Sequence, residues 1–235
     1  MMMKLCRWIT VILITLILLP ATAAAAHKYL VVVDPAHGGN DKGVQLTNTV
    51  YEKDITLIIA KQVQKEIGGK KGISIKLTRT GDTNLVLSER LRMARELKAD
   101  LFISLHVNAG FGRRSSGYEI YFPGFKKRPK QDNGSREIVE DMVRNKFLNE
   151  SVRFAQIAMK NIEPIFPRQG RGLRECPIPG FDKLEIAAVV IELGFATNVE
   201  NRKKMTTSST QKAIAEALGK SIDDYFAGLM KNGEK

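Results

Sequence analysis

The stretch VVVDPAHGGN, Val31 to Asn40, decides how the rest of the chain is read. Three β-branched residues in a row suit a buried strand. Asp34-Pro35 ends that run and a histidine follows. Gly38 and Gly39 then permit a sharp turn that leaves the His37 imidazole facing an open cleft. The chain has only three histidines, so one delivered onto a turn at a strand end is a candidate for chemistry.

Outward from this stretch, strand-like runs alternate with segments of helical period. Tyr29 to Val33 reads as the first strand. Glu52 to Ile67 places Ile55, Ile58, Ile59 and Val63 at helical spacing, and Gly68-Gly69 stops it. Ile73 to Thr78 alternates like a strand. Ser88 to Leu97 reads as a helix with Leu91, Ala94 and Leu97 on one face. Leu101 to Leu105, Tyr118 to Phe122 and Ala187 to Ile191 read as further strands. Glu150 to Ile162 and Gln211 to Leu229 read as helices. No repeat or long linker interrupts the series. The pattern predicts a single α/β domain with a mixed, mainly parallel sheet and helices on both faces. Residues 125–149 stand apart as an excursion: a basic, polar opening, then a short amphipathic helix carrying Ile138, Val139, Met142 and Val143.

Composition narrows the class. The chain has 235 residues, 43% hydrophobic and 26% charged, with a formal net charge of +12. That is a globular composition with enough residues for a full core. Residues 1–26 are expected to be a secretory signal peptide. Lys4 and Arg7 precede an apolar run of 12 residues, Trp8 to Leu19, and small residues follow Pro20 up to Ala26. Cleavage after Ala23 or Ala26 would leave a domain over 27–235; an uncleaved membrane anchor is the alternative. That domain keeps Cys176 alone, so no internal disulfide is expected. Its basic charge suits an anionic wall polymer or lipid surface, or solubility alone. Nucleic acid is not expected, since no basic stripe is interleaved with aromatics.

Three strands share one feature: they leave the sheet at His37, His106 and Glu192. In an open α/β sheet, ligands bind beyond the carboxyl ends of the strands. Parallel strands would therefore bring two imidazoles and a carboxylate to one edge. Glu52, at the start of the following helix, should join them. Two histidines and a carboxylate suffice for zinc with one position open to water. Glu52 is the better metal ligand, being close in sequence to His37. Glu192, aimed by a rigid strand end, is the better catalytic acid or base. His27 is expected to be a bystander.

The segments VVVDPAHGGNDKG, YEKDITLIIAKQV, LTRTGDTNLVLSERLRMARELKADLFISLHVNA and VVIELGFATNVEN, in this order, resemble the zinc-dependent N-acetylmuramoyl-L-alanine amidases of the amidase-3 family. The resemblance implies a zinc held by His37, Glu52 and His106, and a catalytic Glu192. It implies hydrolysis of the amide between N-acetylmuramic acid and L-alanine in peptidoglycan, for wall remodelling or daughter-cell separation, by an exported protein of the periplasm or cell wall. Ala36 stands where the family usually has glycine, and the stretch before the Glu192 strand is longer than usual.

Some members of that family carry a helix that covers the zinc. The corresponding candidate here is 131–147, through Glu137, Glu140 or Asp141 on the metal, or through its apolar residues on an activator protein; a plain surface helix is the alternative. Other functions for the same ligand set are a zinc carboxypeptidase, with Arg79 or Arg174 clamping a terminal carboxylate, and a deacetylase. A non-catalytic wall-binding module is a further alternative, although it has no need of Glu192.

Overall fold

The computed structural model describes residues 29–70, 72–110, 112–124, 134–166, 172–181 and 184–233. The expected leader, 1–26, and the basic loop Lys126 to Lys130 lie outside the described residues. No helix of the described residues is long and apolar enough to cross a membrane.

Six strands form one sheet: β1 (Tyr29–Pro35), β2 (Ile73–Leu77), β3 (Leu101–Asn108), β4 (Glu119–Pro123), β5 (Gly172–Cys176) and β6 (Ala187–Phe195). Their order is β2-β1-β3-β6-β4-β5. The first four in that order are mutually parallel, and the single antiparallel junction is β6 with β4. The sheet is thus mixed and mainly parallel, as the alternation of strands and helices implied.

Five helices surround it: α1 (Glu52–Ile67), α2 (Leu87–Glu96), α3 (Gly134–Ile162), α4 (Val199–Met205) and α5 (Ser208–Asn232). Successive strand residues point to opposite faces, and here both faces are apolar. Val31, Val33, Ile103, Leu105, Val189 and Ile191 face one core together with residues of α1, α3 and α5. Val32, Phe102 and Ala188 face a smaller core with Leu91 and Ala94 of α2 and with Phe181 and Leu184.

The sequence and the structure differ in several places, among them α4, which has no counterpart among the expected helices, and His106 and Glu192, which lie within β3 and β6 rather than at the points where the chain leaves the sheet. From Gly134 onward, the excursion and the helix expected from Glu150 are one continuous 29-residue helix, α3. No glycine or proline falls between Ser135 and Glu163 to break it. Its C-terminal half buries Phe154, Ala155, Ala158 and Ile162, whereas Val139 and Met142 in its N-terminal half are exposed. β5 escaped notice because it is an edge strand carrying Arg174 and Glu175, without a buried alternation. Ile58 and Leu97 are exposed rather than packed: Ile58 lies off the stripe of Ile55, Ile59 and Val63, and Leu97 is the C-terminal cap of α2.

A buried polar knot joins α2 to the ends of β1, β2 and β3. Asp34, 1% exposed, pairs with Arg90 at 2.6 Å. It also accepts the hydroxyls of Thr78 at 2.5 Å and Ser104 at 2.7 Å. Removing one partner of such a pair strands the other charge in the interior. Arg90→Ala is therefore expected to lower unfolding free energy by about 3–5 kcal/mol. A denaturant titration that finds a loss below about 1 kcal/mol would contradict the role of the knot.

Candidate active site

Parallel pairing of β1 with β3 sets Pro35 beside Leu105, so the chain leaves both strands at one edge. There His37 adopts φ +61°, followed by Gly38 at +133° and Gly39 at +60°. A Cβ on Gly38 would stand 2.2 Å from the Thr83 carbonyl, which explains the glycine. The left-handed histidine is not a conformation that a β-carbon favours, and two arginines hold it. Arg79 donates to the carbonyls of Pro35 at 2.8 Å and Ala36 at 3.0 Å, and to Lys53 O at 2.7 Å. Arg90 donates to Pro35 O at 2.9 Å and His37 O at 2.7 Å. Arg79 was a candidate carboxylate clamp. It is 3% exposed and committed to main-chain carbonyls, so it serves the turn instead.

The turn places three of the expected residues together. Ligand-type atoms of His37, Glu52 and His106 all lie within 4.8 Å of one another. Glu52 Oε1 lies 3.0 Å from His37 Nε2 and 3.1 Å from His106 Nδ1, and accepts the Val107 amide at 2.9 Å. Its other oxygen accepts the Val44 amide at 3.0 Å. His37 Nδ1 meets Asp41 at 2.8 Å. Both ring nitrogens of His37 thus face carboxylates, which only the imidazolium satisfies. Burial pulls this imidazole down, but its bonds to Glu52 and Asp41 outweigh burial and raise it to about 9. Burial pushes Glu52 up, but the two imidazoles prevail and hold it at about 2. Space is tight by construction: a Cβ on Gly43 would come within 2.5 Å of Glu52 Oε2 and 2.7 Å of His37 Cδ2.

Glu192 stands beside this group and not within it. It is the register partner of His106 across β3 and β6. Its Oε2 is buried without a hydrogen-bond partner among the described residues. Burial raises its carboxyl, His106 opposes this, Glu52 and Glu119 add to it, and the net value is about 7. His37, His106 and Glu192 line a cleft of about 660 Å3, bounded by Val86 and Leu87 on one side and Ile178 on the other.

The profile of the Amidase_3 family, described as N-acetylmuramoyl-L-alanine amidase, matches residues 31–224. The chain belongs to the Amidase_3 family. It is 28% identical over 230 residues to the N-acetylmuramoyl-L-alanine amidase AmiA of Salmonella typhimurium, covering 88% of this chain and 79% of that one. Among solved structures, the N-acetylmuramoyl-L-alanine amidase AmiC2 of Nostoc punctiforme is 28% identical with a TM-score of 0.64, covering 85% of this chain and 98% of that one. The fold is also that of the CwlD amidase of Clostridioides difficile, solved in complex with the GerS lipoprotein: TM-score 0.69, 21% identity, 85% and 99% coverage. This chain is thus an Amidase_3 enzyme, of the class that cleaves peptidoglycan.

The structure brings His37, Glu52 and His106 together and sets Glu192 beside them; the residues that support them were not singled out from the sequence. Asp41 is four residues after His37, and a carboxylate so placed in a glycine turn was a usable signal. Asp34 and Arg90 had none, because they are partners 56 residues apart; Glu119 and Tyr121 are two residues apart on one strand and were not singled out. Asp141 of the excursion is not part of the metal-competent group; it pairs with Arg144. The side chains of Glu137 and Glu140 lie outside what is described.

Any divalent metal entering this group must displace the His37 proton. Since that proton leaves at about pH 9 in the metal-free protein, apparent affinity should rise about tenfold per unit from pH 7 towards 9. Calorimetry at pH 7 in buffers of differing ionisation enthalpy should show proton release. Affinity that is flat with pH would contradict the imidazolium.

Proposed function

We propose that the chain is a zinc-dependent enzyme that hydrolyses the amide joining the lactyl group of N-acetylmuramic acid to L-alanine. The observation that carries this reading is the His37–Glu52–His106 group with Glu192 beside it at the wall of the cleft, its Oε2 buried without a partner among the described residues. His37 through Nε2, His106 through Nδ1 and Glu52 through a carboxylate oxygen form a donor set suited to zinc. Asp41 on the far nitrogen of His37 would orient that ring. Zinc bound there supplies a Lewis acid that polarises a carbonyl and acidifies water.

Glu192 carries the proton. Its carboxylate takes a proton from the attacking water as oxygen adds to the amide carbon. The resulting carboxylic acid gives that proton to the alanine nitrogen as the carbon–nitrogen bond breaks. The products are a muramic carboxylate and a stem peptide with a free amine. A carboxyl near 7 suits both halves of this exchange. Base catalysis needs the ionised form, so turnover should fall with acidification. A cation nearby only lowers that carboxyl, so the acid limb of kcat/KM should lie at or below about pH 7.

The leader over 1–26 is proposed to export the enzyme to the wall compartment. The exposed Val139, Met142 and Val143 of α3 support 131–147 as the contact of an activator protein.

Mass spectrometry of wall fragments treated with the metal-loaded protein tests the activity. Stem peptides with a free L-alanine amine are expected; release of terminal D-alanine, or no product, would contradict the reading. Glu192→Gln should keep one zinc per chain and lose about 10²–10⁴-fold in kcat, whereas His37→Ala and His106→Ala should lose zinc. Zinc loss in Glu192→Gln with retention in Glu52→Gln would reverse the two carboxylates.

A further inference from the structure

Beyond Glu192 the sheet continues through β4 to β5. Glu119 is the register partner of Glu192, and Arg174 that of Tyr121. Alternation puts Val190 and Glu192, Glu119 and Tyr121, and Arg174 and Cys176 on one face. Ile191, Ile120 and Leu173 turn the other way, onto the larger core. Tyr121, Cys176, Val190 and Glu192 line the cleft. Arg174 therefore stands at the margin of that cleft, flanked across the ladder by Tyr121 and two residues along its strand by Cys176.

Its surroundings differ from those of Arg79 and Arg90. Those two are buried and spend their donors on main-chain carbonyls and Asp34. The Arg174 side chain is 41% exposed, and among the described residues its one partner is Glu119, at 3.4 Å. Glu119 is itself fixed. It is 2% exposed and accepts the Tyr121 hydroxyl and the Asn108 side-chain amide. A rigid buried carboxylate thus braces one edge of the guanidinium by a long contact. The rest of its planar set of five donors remains for a ligand, in a geometry matched to a carboxylate.

We propose that Arg174, braced by Glu119, binds a carboxylate of the stem peptide and makes the enzyme selective for peptides that carry a free acid close to the scissile amide. This rests on the amidase reading above. The muramic carboxyl is consumed in the amide that is cut, so the substrate's free carboxylates belong to the peptide. Adjacent strands lie about 4.8 Å apart, which sets β5 about 10 Å from β6, the span of about three extended residues. An acid on the second residue after the cut falls within that reach.

The test uses two N-acetylmuramoyl tripeptides with neutral third side chains and amidated C-termini. One has a free acid on the second residue and the other has the carboxamide. The wild type is expected to show a KM about tenfold lower for the acid, the scale of one charged hydrogen-bonded contact. Arg174→Ala should raise that KM about tenfold, keep kcat within about twofold, and leave the carboxamide unaffected. Arg174→Lys should fall between, since it keeps the charge and loses the fork. Zinc content equal to wild type shows that the neighbouring site is intact. An acid preference that survives Arg174→Ala, or is missing from the wild type, overturns the proposal. Should neither compound be hydrolysed, the amidase reading fails, and calorimetric binding of the acid tripeptide to the metal-loaded chain decides the arginine. Weaker binding by Arg174→Ala supports its role; equal binding overturns it.

Discussion

Arg90 reaches from α2 to the end of β1 and grips Asp34 with the carbonyls of Pro35 and His37. Much of the site hangs on that grip. Asp34 is tied to β2 through Thr78 and to β3 through Ser104, so one guanidinium fixes three strand ends together. It also holds the chain at the point where His37 takes up a left-handed conformation. Together with Arg79, which holds the carbonyls of Pro35 and Ala36, it turns the imidazole inward onto Glu52. A buried ion pair is weak evidence for added stability. Its use here is positional: a group that could hold a metal is better carried by strands locked to one another than by a free loop.

The electrostatics follow the same division. Glu52 is anionic well below neutrality because imidazoles and two main-chain amides surround it. Glu192, whose Oε2 is buried without a hydrogen-bond partner among the described residues, is raised by burial to about 7. Two carboxylates on one sheet edge are thereby driven apart, one towards permanent charge and the other towards proton exchange. Glu119 extends the pattern. It is a buried acid, held by a phenol that burial and Glu119 itself push up to about 12, so that the hydroxyl remains a donor.

What could be read from the sequence divides along physical lines. Strands that are buried on both faces announce themselves as apolar runs, so β1, β3 and β6 were legible, and with them His37 just past the end of β1 and His106 and Glu192 within the carboxyl halves of β3 and β6. α1 was legible to the residue, because Ile55, Ile59 and Val63 repeat at helical spacing and glycines end it. β5 was not, since an edge strand has one neighbour and tolerates charge. The unity of α3 was obscured because its two halves face different surroundings. Arg79 illustrates the harder limit. A charged side chain near a site can bind substrate or backbone, and only the fold showed its donors meeting the carbonyls of residues 35, 36 and 53.

The proposed reaction requires one cation between His37, Glu52 and His106, with Glu192 close but uncoordinated. Anomalous diffraction at the zinc edge from crystals of the zinc-loaded protein tests this most directly. The expected result is a single peak at about 2.0–2.2 Å from His37 Nε2, His106 Nδ1 and a Glu52 oxygen. A peak ligated by Glu192 in place of Glu52, or one lying away from these histidines, would contradict it.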